Sequence, residues 1–159
     1  MSAVVTPPIS ERELVLTRLM SPPRAKLFRA WTEADLLKQW FAPRPLTTPV
    51  AELDVRAGGE CRIVMRGPDG TEYPSNGIYL EIVRDERIVF TDAYGAGWIP
   101  TAKPFMTVIV TFADEGEGTR YTARALHWKA EDRAMHETMG FHEGWGRCAD
   151  QLAEVVARL

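Results

Sequence analysis

Hydrophobic and polar positions change period along the chain, and the changes divide it. The run from Glu13 to Met20, ELVLTRLM, is apolar and β-branched and predicts a first strand. Ser21-Pro22-Pro23 follows as a helix start, because serine caps free backbone N–H groups and proline is tolerated in a first turn. Leu27, Phe28 and Trp31 then fall on adjoining faces, which predicts a short helix over 25–31. Thr32, with Asp35 three positions on, makes a near capping box for a second short helix over 34–40. Pro43, Pro45 and Pro49 exclude helix beyond it and predict a stiff, irregular connection.

From residue 50 the period becomes two. Ala51, Leu53, Val55 and Ala57 alternate with Glu52, Asp54 and Arg56, and Cys61, Ile63 and Met65 with Arg62, Val64 and Arg66. Gly58-Gly59 and Gly67-Pro68-Asp69-Gly70 are turns between strands. Further strands are predicted over 76–83, 87–94, 105–112 and 119–128. In the last of these Tyr121, Ala123, Ala125 and His127 share one face, and Arg120, Thr122 and Arg124 share the other. The charged face is the wetter one, so His127 points inward. The end of the chain returns to a helical period. Taking Trp145 as zero, Thr138, Phe141, Cys148, Ala149, Leu152, Val156 and Leu159 fall within about 60° of it, which predicts one long amphipathic helix. Glu131 and Asp132 suit the positive end of that helix. Gly140 and Gly144 weaken its first half by roughly 1 kcal/mol each and mark a bend or a close approach.

The element order implies an α+β fold. Strands joined by short turns are antiparallel, and their sheet has one face that only the long helix can cover. The simplest arrangement is a curved antiparallel sheet wrapped around the C-terminal helix, with two short helices after the first strand. Residues 1–10 read as a flexible tail, stiffened locally by Pro7 and Pro8, and 11–159 as a single domain. At 159 residues the chain has length for one domain and little room for two. Its charge balance, 19 Lys+Arg against 22 Asp+Glu, shows no basic excess and argues against a nucleic-acid partner. No apolar run reaches membrane-span length, and residues 1–8 lack the basic-then-apolar pattern of a secretory signal. Two cysteines without paired spacing, Cys61 and Cys148, fit a reduced, cytoplasmic protein in which both are small buried hydrophobes.

Several segments carry a family likeness in order and spacing over roughly 12–159. They are Pro23-Arg24 to Phe28 with Ala30-Trp31-Thr32, Gln39-Trp40-Phe41-Ala42-Pro43, Asp54-Val55-Arg56-Ala57-Gly58-Gly59 and Gly67-Pro68-Asp69-Gly70. Gly77-Ile78-Tyr79-Leu80-Glu81, Glu86-Arg87-Ile88-Val89-Phe90-Thr91 and Gly144-Trp145-Gly146 followed by Leu152 complete the set. The chain resembles the START-like (SRPBCC) superfamily, with the helix-grip fold of the birch pollen allergen. Within it, the chain is similar to bacterial relatives of the C-terminal domain of the activator of heat-shock-protein-ninety ATPase. The usual second tryptophan after Trp40 is Phe41 here, which keeps the motif aromatic. The resemblance implies an apolar cavity between the sheet and the long helix and a hydrophobic or amphipathic small-molecule partner. No metal and no cofactor are expected, and the resemblance makes a homodimer plausible.

The candidate pocket residues are Phe41, Met65, Asn76, Trp98, Phe105, His127, Thr138, Phe141, His142 and Trp145. His127, His142 and Asn76 would form the polar end, where neutral histidine suits hydrogen bonding or proton transfer near pH 7. Against this stands the ordinary alternative that each is satisfied by backbone or water. Trp98, in a Gly- and Pro-rich loop, either covers the pocket mouth or packs on a neighbouring loop or a dimer partner. His136 and His142 are six apart and share no helical face, so no zinc site is expected from them. Three functions are therefore carried forward: ligand binding; an enzyme of cyclase or hydrolase type with a cavity histidine as acid–base; and a chaperone- or protein-binding module.

Overall fold

The computed structural model describes residues 10–159. Apart from Ser10, the expected tail lies outside the described residues. The elements run β1 (Glu13–Met20), α1 (Arg24–Thr32), α2 (Ala34–Leu37), β2 (Thr47–Leu53), β3 (Glu60–Arg66), β4 (Glu72–Val83) and β5 (Arg87–Thr91). They continue with β6 (Tyr94–Gly95), β7 (Ile99–Pro100), β8 (Met106–Glu115), β9 (Gly118–His127), α3 (Ala130–Thr138) and α4 (Phe141–Val156). Seven strands form one antiparallel sheet in the order β1-β9-β8-β5-β4-β3-β2, and β6 pairs with β7 in a small separate ribbon. The α+β helix-grip architecture is as expected. Among the described residues no helix is long and apolar enough to cross a membrane.

The first strand ends where ELVLTRLM does. Leu14, Leu16 and Met20 join the core, and Arg18, on the same side, reaches Asp150 of α4 at 2.9 Å. A Cβ at Gly146 would meet Arg18 Nη2 at 2.6 Å, so this flexible side chain would have to shift to admit one. The predicted caps differ. Ser21 caps nothing, because α1 begins after Pro23, and the Thr32 hydroxyl instead donates back to the Phe28 carbonyl at 2.8 Å. Glu33 takes the cap position of α2, which is shorter than the 34–40 expected. β2 starts at Thr47, earlier than the alternation suggests, and carries Pro49 at an irregularity in its pairing with β3.

The single long helix is corrected to two. Gly140 takes φ 103°, a left-handed conformation that L side chains rarely adopt, and it separates α3 from α4. Gly144 marks neither a bend nor a close approach, since nothing lies within 4 Å of a Cβ placed there. α4 packs on β1 and α1, while α3 touches β1, β9 and α4. Its Cys148, Ala149, Leu152 and Val156 are buried as the helical period requires. Trp31 anchors the core from α1, T-stacked on Trp40 with centroids 4.9 Å apart and donating to the Tyr121 hydroxyl at 3.2 Å.

Candidate functional site

His127 is the last residue of β9, on the face that also buries Tyr121, Ala123 and Ala125, and it is only 4% exposed. Strand alternation thus turns it inward as expected. Its Nδ1 lies 2.9 Å from the Arg12 carbonyl oxygen, which also accepts the His127 backbone N–H. Its Nε2 lies 2.8 Å from Nδ1 of His136. The two residues between β9 and α3 reverse the chain, so the second turn of α3 returns over the strand end. Phe105 packs on both imidazoles, with centroids at 5.3 Å from His127 and 5.1 Å from His136. Phe141 continues the cluster at 5.2 Å from His136, and Trp145 lies 5.7 Å beyond it. Phe105 is itself positioned by Asp92, whose carboxylate accepts the backbone N–H groups of Phe105 at 2.9 Å and Met106 at 3.2 Å.

Four of the ten expected residues therefore converge: Phe105, His127, Phe141 and Trp145. His136 joins them, although sequence reasoning set it aside. That reasoning compared it only with His142 along a helix. The usable signal was its spacing from the strand-end His127 across a strand-to-helix reversal. His142 stacks edge-on to Phe141 at 5.1 Å but is exposed, with Nε2 3.4 Å from the Glu137 carboxylate. Thr138 is exposed because the phase counted from Trp145 does not survive Gly140. Phe41 packs against Trp31 and Trp40, and the Cys148 thiol donates to its carbonyl at 3.2 Å.

Met65 is half-buried on β3, on the side of Cys61 and Ile63. Asn76 is exposed and faces away from the core. It pairs opposite Arg62, whereas the core residues Cys61 and Tyr79 belong to the other face. A register irregularity between Tyr79 and Glu81 also shifts the alternation beyond Ile78, so Ile82, which packs on the core, no longer shares the face of Asn76. Trp98 is 52% exposed, has a positive φ of 64°, and packs over Gly58 of the β2–β3 turn and on Tyr94. Its loop thus meets a neighbouring loop. Burial raises the Cys61 thiol to about 11 and the Cys148 thiol to about 12, as suits inert core positions.

Two open hollows of the described surface lie elsewhere. One of about 350 Å3 is bordered by Leu19, Ser21, Glu115 and Thr119, and another of about 280 Å3 by Arg18, Pro22, Ala149 and Asp150. Both sit at the Met20–Thr119 end of the β1–β9 ladder, remote from His127.

Burial, and then the neighbouring His127, lower the His136 imidazole to about 4 from its ordinary 6.5. Between those values the unfolded chain binds the extra proton, so this contribution to stability is complete above pH 6.5 and is lost as the pH falls toward 4. The half-exposed ring and nearby Arg133, Glu137 and His142 screen the effect, which should amount to ~1–2 kcal/mol. Urea midpoints at pH 7.5 and 5.0 should fall more for the wild type than for His136→Phe. Parallel losses in the two proteins would show that this ring does not titrate as described.

The model of the family described as Activator of Hsp90 ATPase homolog 1-like protein matches residues 21–157. A crystal structure of protein NE0264 from Nitrosomonas europaea is 38% identical, with a TM-score of 0.91 over 94% of this chain and 96% of that one. Protein Ms6760 from Mycobacterium smegmatis, at 24% identity, shares the fold with a TM-score of 0.78 over 91% and 90% of the two chains. An AHSA1-like protein from Aeromonas hydrophila, at 18% identity, does so with a TM-score of 0.70 over 92% of each. No curated protein matches the chain. The family match runs from just before α1 to the end of α4 and so takes in every helix and every strand after β1, and on that extent the chain belongs to the Activator of Hsp90 ATPase homolog 1-like family.

Proposed function

We propose that the protein binds a hydrophobic or amphipathic small molecule where the end of the sheet meets α3 and α4. The observation that carries this reading is the His127–His136 pair set among Phe105, Phe141 and Trp145. A few convergent polar atoms within apolar and aromatic walls are the usual make-up of a small-molecule site. The walls supply affinity by burying apolar surface, at about 25 cal/mol per Å2 before association costs.

α3 is the element able to admit a ligand. None of its residues is fully buried, and its ties to the rest of the fold include the imidazole pair and an Arg133 bond to the Glu11 carbonyl. An element with so few buried apolar contacts opens at low free-energy cost. Lifting it would expose the Phe105 and Phe141 rings.

Calorimetric titration with neutral bicyclic aromatics tests the reading. Binding is expected, and Phe105→Ala should weaken it at least about fivefold, because a buried phenyl ring is worth ~1.5–3 kcal/mol. Failure of every such compound to bind, or binding untouched by Phe105→Ala, would remove the site.

A further inference from the structure

The hydrogen bonds around the imidazole pair have a direction. A carbonyl oxygen only accepts, so the 2.9 Å contact to Arg12 requires the proton of His127 on Nδ1. Neutral His127 then has a bare lone pair on Nε2. The 2.8 Å contact there requires a donor, so Nδ1 of His136 carries its proton. Neutral His136 is left with a bare lone pair on its own Nε2.

Reversing the second bond would need protons on both nitrogens of His127. That ring is buried against a carbonyl, an imidazole and the Phe105 ring, none of which balances a positive charge. Nε2 of His136 has no hydrogen-bond partner among the described residues. It is also not one of the buried atoms left unpaired, so solvent reaches it. The relay therefore ends in an accessible acceptor beside two phenyl rings.

We infer that the molecule bound at this site presents a neutral O–H donor, as in a phenol or enol, to Nε2 of His136, with its apolar body against Phe105 and Phe141. This rests on the binding reading above and adds the chemical class of the ligand. An ether offers no donor. A carboxylate would set oxygen lone pairs against a nitrogen lone pair in a partly desolvated place.

Two measurements test it. The imidazole nitrogens of the 15N-labelled wild-type protein at pH 7.5 should show Nδ1–H and bare Nε2 for both His127 and His136. A proton on Nε2 of His136 would overturn the inference without any substitution. Titrations at the same pH should then rank 2-naphthol above 2-methoxynaphthalene by about five- to tenfold, the worth of one hydrogen bond, with 2-naphthoate weakest.

His136→Phe, which keeps an aromatic ring in the cluster, should abolish the preference for naphthol while naphthalene-ring binding persists. Equal affinity for naphthol and its ether, or tightest binding of naphthoate, would overturn the donor assignment and leave the binding reading standing. If none of the three binds, the binding reading falls and the ligand class with it.

Discussion

Replacing Gln151 by leucine should destabilise the protein by about 3 kcal/mol, although the two side chains are similar in size. Gln151 sits on α4, is 2% exposed, and makes three hydrogen bonds to one short segment. Its Nε2 donates to the carbonyls of Trp40 at 3.0 Å and Ala42 at 2.8 Å, and its Oε1 accepts the backbone N–H of Arg44 at 2.9 Å. Residues 40–44 lie between α2 and β2 and have no ladder of their own, so this side chain stands in for secondary structure. Leucine would leave one N–H and two carbonyls without partners. Each buried group so orphaned costs ~1–3 kcal/mol, reduced where water can reach it.

The corresponding fall in melting temperature is about 6–12 °C for a domain of this size. Urea unfolding with an unchanged slope would confirm that stability alone has moved. Gln151→Glu should be at least as damaging, because it keeps the acceptor for Arg44 but turns a carboxylate oxygen toward two carbonyls. A loss below about 1 kcal/mol for leucine would show that water replaces all three bonds.

Two glycine-to-alanine changes should have opposite signs. At Gly77 in β4 an added Cβ would lie 2.0 Å from the Thr91 carbonyl oxygen and 3.3 Å from the Asp92 Cα. Backbone must move, and β5 is bound on both sides in the sheet, so the strain cannot relax locally. We expect Gly77→Ala to cost ~3 kcal/mol or more, at the upper end for overpacking.

The displaced residues also serve the site, since Asp92 holds Phe105 through two backbone N–H groups and Thr91 bonds Thr107 at 2.9 Å. Gly77→Ala should therefore weaken aromatic-ligand binding as well as lower the melting temperature. At Gly144, within α4, nothing lies within 4 Å of the added atom, and alanine should stabilise the helix by ~0.5–1 kcal/mol. Circular-dichroism melts of both variants decide the matter. Similar melting temperatures for the two would contradict the packing described around Gly77.

Most of the fold was legible in the chain because its signals are local. Period-two alternation placed β3 and β9, and the sharing of one face by Tyr121, Ala123, Ala125 and His127 was enough to turn that histidine inward. The helical stripe from Cys148 to Val156 needed only the 3.6-residue period. The errors arose where a non-local or backbone event reset a local count. Gly140 broke the phase that had placed Thr138 beside Trp145, and the irregularity at Tyr79–Glu81 changed which residues of β4 shared a face with Asn76. The β6–β7 ribbon is not legible, Tyr94 falling in the strand predicted over 87–94 and the rest in a loop, because two-residue strands carry no period.

The candidate site divides in the same way. The sequence by itself determined that His127, Phe141 and Trp145 would be available to one interior, since each residue's side follows from the period of its own element, whereas Phe105 lies just before β8 and owes its place to the Asp92 carboxylate. Only the tertiary structure decided that His136 completes the group. No periodicity links residues 127 and 136, which stand on a strand and a helix separated by a chain reversal. Their meeting depends on the angle at which α3 returns over the end of β9. That angle is set by packing among β1, β9 and α4, which are far apart in the chain.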